Sequence, residues 1–176
     1  MAPSAEQFRE LFMLDPDVTY LNHGSFGAVP RAVFEAQNEL RRELELEPVL
    51  FLARKLPARL ARVRHRVARY VGAAAADDIG LIPNVTTGLN AVARSIDLRR
   101  GDEILLTDHE YGAKRILWDE VAALAGAKVV VAPLPRPAQS ADELFEAVAA
   151  RFTRRTRVLF ISHITSLTPS SCRSRG

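Results

Sequence analysis

An α/β fold, with a mostly parallel sheet and helices on both faces, is what this 176-residue sequence predicts. Three observations carry that expectation. The apolar runs "EILLT", "AKVVVAPL" and "RVLFISH" are separated by stretches of helical periodicity, the spacing of βαβ units. Each run ends in a loop or in polar residues, as strands do at the edge of an open parallel sheet. Apolar residues make up 48% of the chain, enough to bury a core between layers.

Along the chain, residues 5–14 read as a short amphipathic helix with Phe8, Leu11 and Phe12 on one side. "YLNHGSFGAVP" is extended, and Pro30 suits the first turn of the helix "RAVFEAQNELRRELELE". A second long helix spans 50–71, where Leu56, Leu60, Val63, Val67 and Val71 recur at helical spacing and the arginines between them form a solvated face. "IGLIP" (79–83) reads as a short strand leading into the helix start "NVTTGLNAVARSI". "RRGDE" turns into the buried strand "EILLT", and "DHEYGA" opens a helix through Trp118, which reads as core. After "AKVVVAPL", Ser140 or Asp142 caps the helix before "RVLFISH".

Composition excludes several classes. The net charge of +3 is small, and the basic run "RKLPARLARVRHRVARY" has neither interleaved aromatics nor a nucleic-acid reader motif. The single cysteine, Cys172, rules out an internal disulfide. His23, His65, His109 and His163 lie far apart, so no metal site is expected. No apolar run approaches the roughly 18 residues that cross a bilayer. The start "MAPSAEQFRE" is polar and acidic, unlike a signal peptide, so a cytoplasmic protein is expected.

The candidate site follows from the strand ends. "IGLIP" leads to Asn84, Thr86 and Thr87; "EILLT" to Asp108, His109 and Tyr111; "RVLFI" to Ser162, His163, Thr165 and Ser166. In a parallel sheet these groups share one edge. The threonines open a helix, where unpaired N–H groups and the positive dipole end favour phosphate, with Gly88 allowing close approach. Helix capping is the structural alternative for the same residues. The glycine-rich nucleotide loops G-x-x-x-x-G-K-[ST] and G-x-G-x-x-G are absent, which disfavours a nucleotide-dependent oxidoreductase.

"YLNHGSFGAVP", "NVTTGLNAV", "GDEILLTDHEYGA" and "VLFISHITS", in this order, resemble the class V aminotransferase-like enzymes that use pyridoxal phosphate. The branch resembled is the isopenicillin N epimerase-like one, related to the cysteine desulfurases, and the resemblance covers residues 8–166. It implies part of a fold-type I large domain over 1–166. Thr86 and the backbone N–H of Thr87 would hold the cofactor phosphate. His109 would stack on the pyridine ring or, alternatively, cap the following helix; Tyr111 is a second candidate for stacking. Ser166 would bond the phenolic oxygen, and Asn22, His23 and Gly24 would edge the substrate pocket. His163 reads as orienting the strand end rather than doing chemistry.

The resemblance also implies a homodimer with an amino-acid substrate. Epimerisation, transamination, desulfuration and β-elimination stay equally open. The Schiff-base lysine and the aspartate that pairs with the pyridine nitrogen match nothing in the chain: Lys55, Lys114 and Lys128 all fall elsewhere. No catalytic residue is therefore expected, with weak or no cofactor binding and no small C-terminal domain. Residues 167–176, "LTPSSCRSRG", read as an aberrant tail. With the codons CTG ACG CCA TCG TCC TGC CGG TCG AGG, skipping two nucleotides yields Asp-Ala-Ile-Val-Leu-Pro-Val-Glu, the pattern of a frameshift. The alternative expectation is a non-catalytic α/β domain that binds a phosphorylated small molecule or a partner chain.

Overall fold

The computed structural model describes residues 4–165. The expectations for Ser166 and for 167–176 fall outside them. The chain divides into two compact units, Met1–Leu81 and Ile82–Gly176.

The first unit is helical. Helix α1 (Ala5–Glu10) begins at a capping box: the Gln7 N–H donates to Ser4 Oγ at 3.2 Å, and the Ser4 N–H to Gln7 Oε1 at 2.8 Å. It is shorter than the 5–14 expected, because Phe12 leaves the helix for an antiparallel bridge with Pro30. Pro30 is the N-cap of α2 (Arg31–Leu46), one position before the expected first turn. Helix α3 (Leu56–Val71) is entered through a π-helical turn, Leu50–Lys55. The Leu56 N–H reaches back to the Phe51 carbonyl, and this wider turn suits a chain about to place Pro57, which has no N–H to give.

Two of the arginines read as a solvated face are half-buried instead. Arg59 makes a bidentate pair with Glu43 of α2 (2.8 and 3.0 Å), and Lys55 joins it at 2.8 Å. Arg64 donates from Nε to the carbonyls of Ala76 and Ile79, both at 3.1 Å, and from Nη2 to Asp77 at 2.7 Å. Among the described residues of this unit only Phe51 and Ala68 are buried hydrophobics, so ionic ties carry much of its organisation.

"IGLIP" is not a strand. Gly80 and Pro83 weaken any ladder there, and the Ile79 carbonyl is taken by Arg64 rather than by a neighbouring strand.

The second unit is built on three parallel strands in the order β2-β1-β3: β1 (Glu103–Thr107), β2 (Lys128–Ala132) and β3 (Thr156–Phe160). Helix α5 (Gly112–Ala125) carries the chain from β1 to β2, and α6 (Ala141–Ala149) carries it back across to β3. Reversing direction at constant crossover handedness puts the two helices on opposite faces. The packing agrees. Ile104 and Leu106 meet Leu117, Trp118, Val121 and Ala122 of α5 together with Ala93 of α4 (Val85–Ser95). Leu105 meets Ala132, Leu134 and Val148 on the other side. All five β1 residues are buried, which explains a run with no polar alternation.

Caps fit the elements they close. Ser140, rather than Asp142, caps α6 by accepting the Glu143 N–H at 3.1 Å. Gly126 ends α5 at φ 69°, a left-handed turn that also sets the next strand, with the Ala127 N–H returning to the Ala122 carbonyl at 2.9 Å. No helix among the described residues is long and apolar enough to cross a membrane.

Two outcomes are expected. Leu106→Ala, at a fully buried position, should cost about 2–5 kcal/mol, read by urea unfolding through the fluorescence of Trp118, the sole tryptophan. Arg59, then Lys55, pulls the Glu43 carboxyl from 4.5 down to about 2. A depressed carboxyl stabilises the fold above its unfolded value and loses that contribution as pH falls through the folded one. Circular-dichroism melts should therefore show the advantage of the native chain over Glu43→Gln shrinking between pH 4.5 and 2.

Candidate functional site

The carboxyl edge of the sheet gathers polar side chains around the turn after β1. Asp108 ties the turn to the β2 side: its N–H donates to the Ala132 carbonyl at 3.1 Å, and its carboxylate accepts from the Leu134 N–H at 2.9 Å and Arg136 Nη2 at 3.0 Å. Glu110 ties it to the β3 side. Its Oε1 accepts from the Thr107 hydroxyl and the Ser162 N–H, both at 2.9 Å, and its Oε2 accepts from the Ser162 hydroxyl at 2.5 Å. Between these anchors His109 is 3% exposed, with Nε2 3.9 Å from Asp108 Oδ1. Lys114 reaches in from the first turn of α5, with Nζ 3.4 Å from Ser162 Oγ and 5.6 Å from the centre of the Phe160 ring.

Tyr111 stands at the N-cap of α5, largely exposed, and its own side chain makes no capping hydrogen bond. His163 is exposed just past β3.

Thr86 and Thr87 sit exposed in the first turn of α4. The Thr87 N–H donates to Asn84 Oδ1 at 2.8 Å and its hydroxyl to the same atom at 3.1 Å. This is an N-cap, so the structural reading of Asn84 holds. The N–H groups of Val85 and Thr86 precede any intrahelical partner. A Cβ at Gly88 would meet Ile82 Cδ1, the end of a flexible and half-exposed side chain.

In the first unit, His23 organises its own loop. Its ring meets Tyr20 edge-on at 4.9 Å and Phe12 at 5.6 Å, and its Nδ1 accepts the Ala28 N–H at 3.4 Å. That bond puts the proton of a neutral ring on Nε2. The Asn22 carbonyl accepts the Phe26 N–H at 3.0 Å, and Asn22 and Gly24 are exposed.

Sequence reasoning missed Glu110 and Arg136. A signal for Glu110 was present in "TDHE": Thr107-x-x-Glu110 has the spacing of a capping box, in which a hydroxyl and a carboxylate meet. Arg136 left no such trace, since its partner lies 28 residues away.

Comparison with known proteins places these residues in context. The family model "Aminotransferase class-V" matches residues 27–169. Isopenicillin N epimerase of Amycolatopsis lactamdurans is 43% identical over 163 residues, 91% of this chain and 40% of that enzyme. The Streptomyces clavuligerus enzyme of the same name is 39% identical over 163 residues, 93% of this chain and 41% of its own length. Among solved structures, the cysteine desulfurase CsdA of Escherichia coli superposes with a TM-score of 0.75 at 28% identity, covering 97% of this chain and 44% of that one. A C-DES variant with glycine covalently linked to its PLP cofactor gives a TM-score of 0.77 at 27% identity over 93% of this chain and 42% of its own. The chain thus spans about 40% of the length of the curated relatives it matches.

The cap on α4 yields a direct expectation. Asn84→Ala should destabilise the second unit by about 0.5–2 kcal/mol, measured as a shift in the urea midpoint of Trp118 fluorescence with an unchanged slope.

Proposed function

This chain belongs to the aminotransferase class V family, and from that premise we propose that it supplies the N-terminal, cofactor-holding part of a pyridoxal-phosphate enzyme that acts on an amino acid. The observation that carries the reading is the buried His109 turn at the carboxyl edge of a parallel sheet. It is supported by the helix N-terminus at Thr86 and Thr87 in the same compact unit.

The residues present fit the group. A phosphate dianion suits the exposed first turn of α4, where the Thr86 hydroxyl and free N–H groups meet the positive end of the helix. The Thr87 N–H is held by Asn84, and magnitudes decide that competition. A hydrogen bond to a charged group is worth about 1.5–3 kcal/mol, against about 1 kcal/mol for the cap, so the Thr87 N–H would be available to a phosphate in competition with the Asn84 side chain. His109 is the ring-stacking group in this proposal, with Tyr111 beside it as the solvent-reachable alternative. Ser166 keeps the role that the resemblance assigns it, at the phenolic oxygen.

When bound, the cofactor supplies an electron sink for the substrate's Cα. The chain's own part is to bind the phosphate, orient the ring and keep its edge dry. None of Lys55, Lys114 and Lys128 takes a catalytic role in this proposal. Lys55 pairs with Glu43, Lys114 reaches Ser162, and Lys128 opens β2. Asn22, His23 and Gly24 are proposed for the substrate side on the strength of the resemblance and of their exposure. The same resemblance supports a homodimer.

Titration of the chain with pyridoxal phosphate, followed by visible absorbance, tests the reading. Binding of about millimolar affinity is expected, equivalent to roughly 4 kcal/mol, with Thr86→Val about tenfold weaker, as loss of one hydrogen bond to a charged group implies. Pyridoxal, which lacks the phosphate, should bind at least tenfold more weakly. Equal binding of the two would overturn the phosphate seat. Competition by inorganic phosphate without any contribution from the ring would favour a general phosphate-binding domain.

A further inference from the structure

We propose that Glu110 is a positioning residue: it fixes the plane and height of the His109 ring at the sheet edge by locking the turn after β1 to the end of β3. The proposal rests on the reading of His109 as the group that meets the cofactor ring.

The geometry is specific. Glu110 is 7% exposed, and both its oxygens are used, accepting from Thr107 Oγ1, the Ser162 N–H and the Ser162 hydroxyl at 2.9, 2.9 and 2.5 Å. A buried carboxylate with three donors is well satisfied, whereas one stripped of them would be costly. The two chain neighbours of His109 are anchored in opposite directions. Asp108 is held to the β2 side through Leu134 and Arg136, and Glu110 to the β3 side through Ser162. The backbone on each side of His109 therefore cannot turn without breaking charge-assisted bonds, and the ring inherits that constraint. Lys114, 3.4 Å from the Ser162 hydroxyl, restrains the Ser162 end of the link.

Charge and shape are both needed. A glutamine side chain has the same length, but only one oxygen, and its NH₂ would face donors it cannot accept from. Glu110→Gln thus breaks part of the link at little change in volume. Ser162→Ala removes the hydroxyl bond and keeps the carboxylate, the Thr107 bond and the Ser162 backbone N–H bond.

The test uses the full 176-residue chain, labelled with ¹³C at histidine Cε1, with the His109 signal identified from its loss in His109→Asn. In Glu110→Gln the His109 resonance should shift and broaden while that of His65, in the other compact unit, stays in place. Ser162→Ala should move His109 in the same direction by less. With pyridoxal phosphate added, Glu110→Gln should bind about tenfold more weakly and lose the circular dichroism induced in the cofactor band. If Glu110→Gln fails to fold, seen as loss of the Trp118 near-ultraviolet signal, Ser162→Ala decides alone. An unmoved His109 resonance in the folded variants would overturn the proposal. A resonance that moves in a chain that binds no cofactor would leave the positioning role standing and remove the proposed function. Equal cofactor binding and equal induced dichroism in native chain and variants would do the reverse.

Discussion

The second unit depends on one strand being buried on both faces. Ile104, Leu105 and Leu106 are wholly inaccessible, and each contributes roughly 1.5–3 kcal/mol of transfer free energy. Because side chains alternate along a strand, this single run supplies knobs to two layers, Ile104 and Leu106 to α4 and α5, Leu105 to the α6 side. Parallel partners on each side then follow from the short crossovers, and all strand ends of one kind fall on one edge. That places the polar groups after Thr107 and after Phe160 on the same edge.

Carboxylates mark both ends of the β1–β3 pairing. At the start, Glu103 accepts the Thr153 hydroxyl at 2.6 Å and Arg155 Nε at 2.9 Å. The Thr153 bond chiefly, with Arg155 helping and burial opposing, holds the Glu103 carboxyl below its usual range. Past the other end, Glu110 takes Ser162. The pairing between these points carries a register shift at Glu103/Ile104, so its two ends cannot both be set by a regular ladder alone. Side-chain anchors at the ends hold the alignment that positions the turn with His109. In the first unit, Glu43 between Lys55 and Arg59 does similar work for two helices, with far less apolar burial behind it.

Local chemistry explains where the sequence was legible. "EILLT" was found with its true limits because a run of apolar residues bounded by "RRGD" and "DHEY" has few other readings. The caps at Asn84 and Ser140 were legible because capping involves residues three apart. "IGLIP" misled for the complementary reason. Five apolar residues look the same whether or not a neighbouring strand arrives, and here the Ile79 carbonyl turned to Arg64, fifteen residues back. Arg59 and Arg64 likewise looked solvated, because the distance to Glu43 or Asp77 across a helix pair is invisible in a periodicity.

The sequence by itself pointed to the α/β class, to the apolar runs that form β1, β2 and β3 and, through four short motifs, to the family to which the chain belongs, while also offering "IGLIP" as a strand that does not form. Those are properties of neighbouring residues and of residue order. Tertiary structure alone decided that His109 is buried while Tyr111 is exposed, two residues apart in one polar turn. It also decided that Glu110 meets Ser162 across 52 residues. Burial and pairing of that kind depend on which strand lies beside which, and strand order is fixed by long-range packing that no local window of sequence contains.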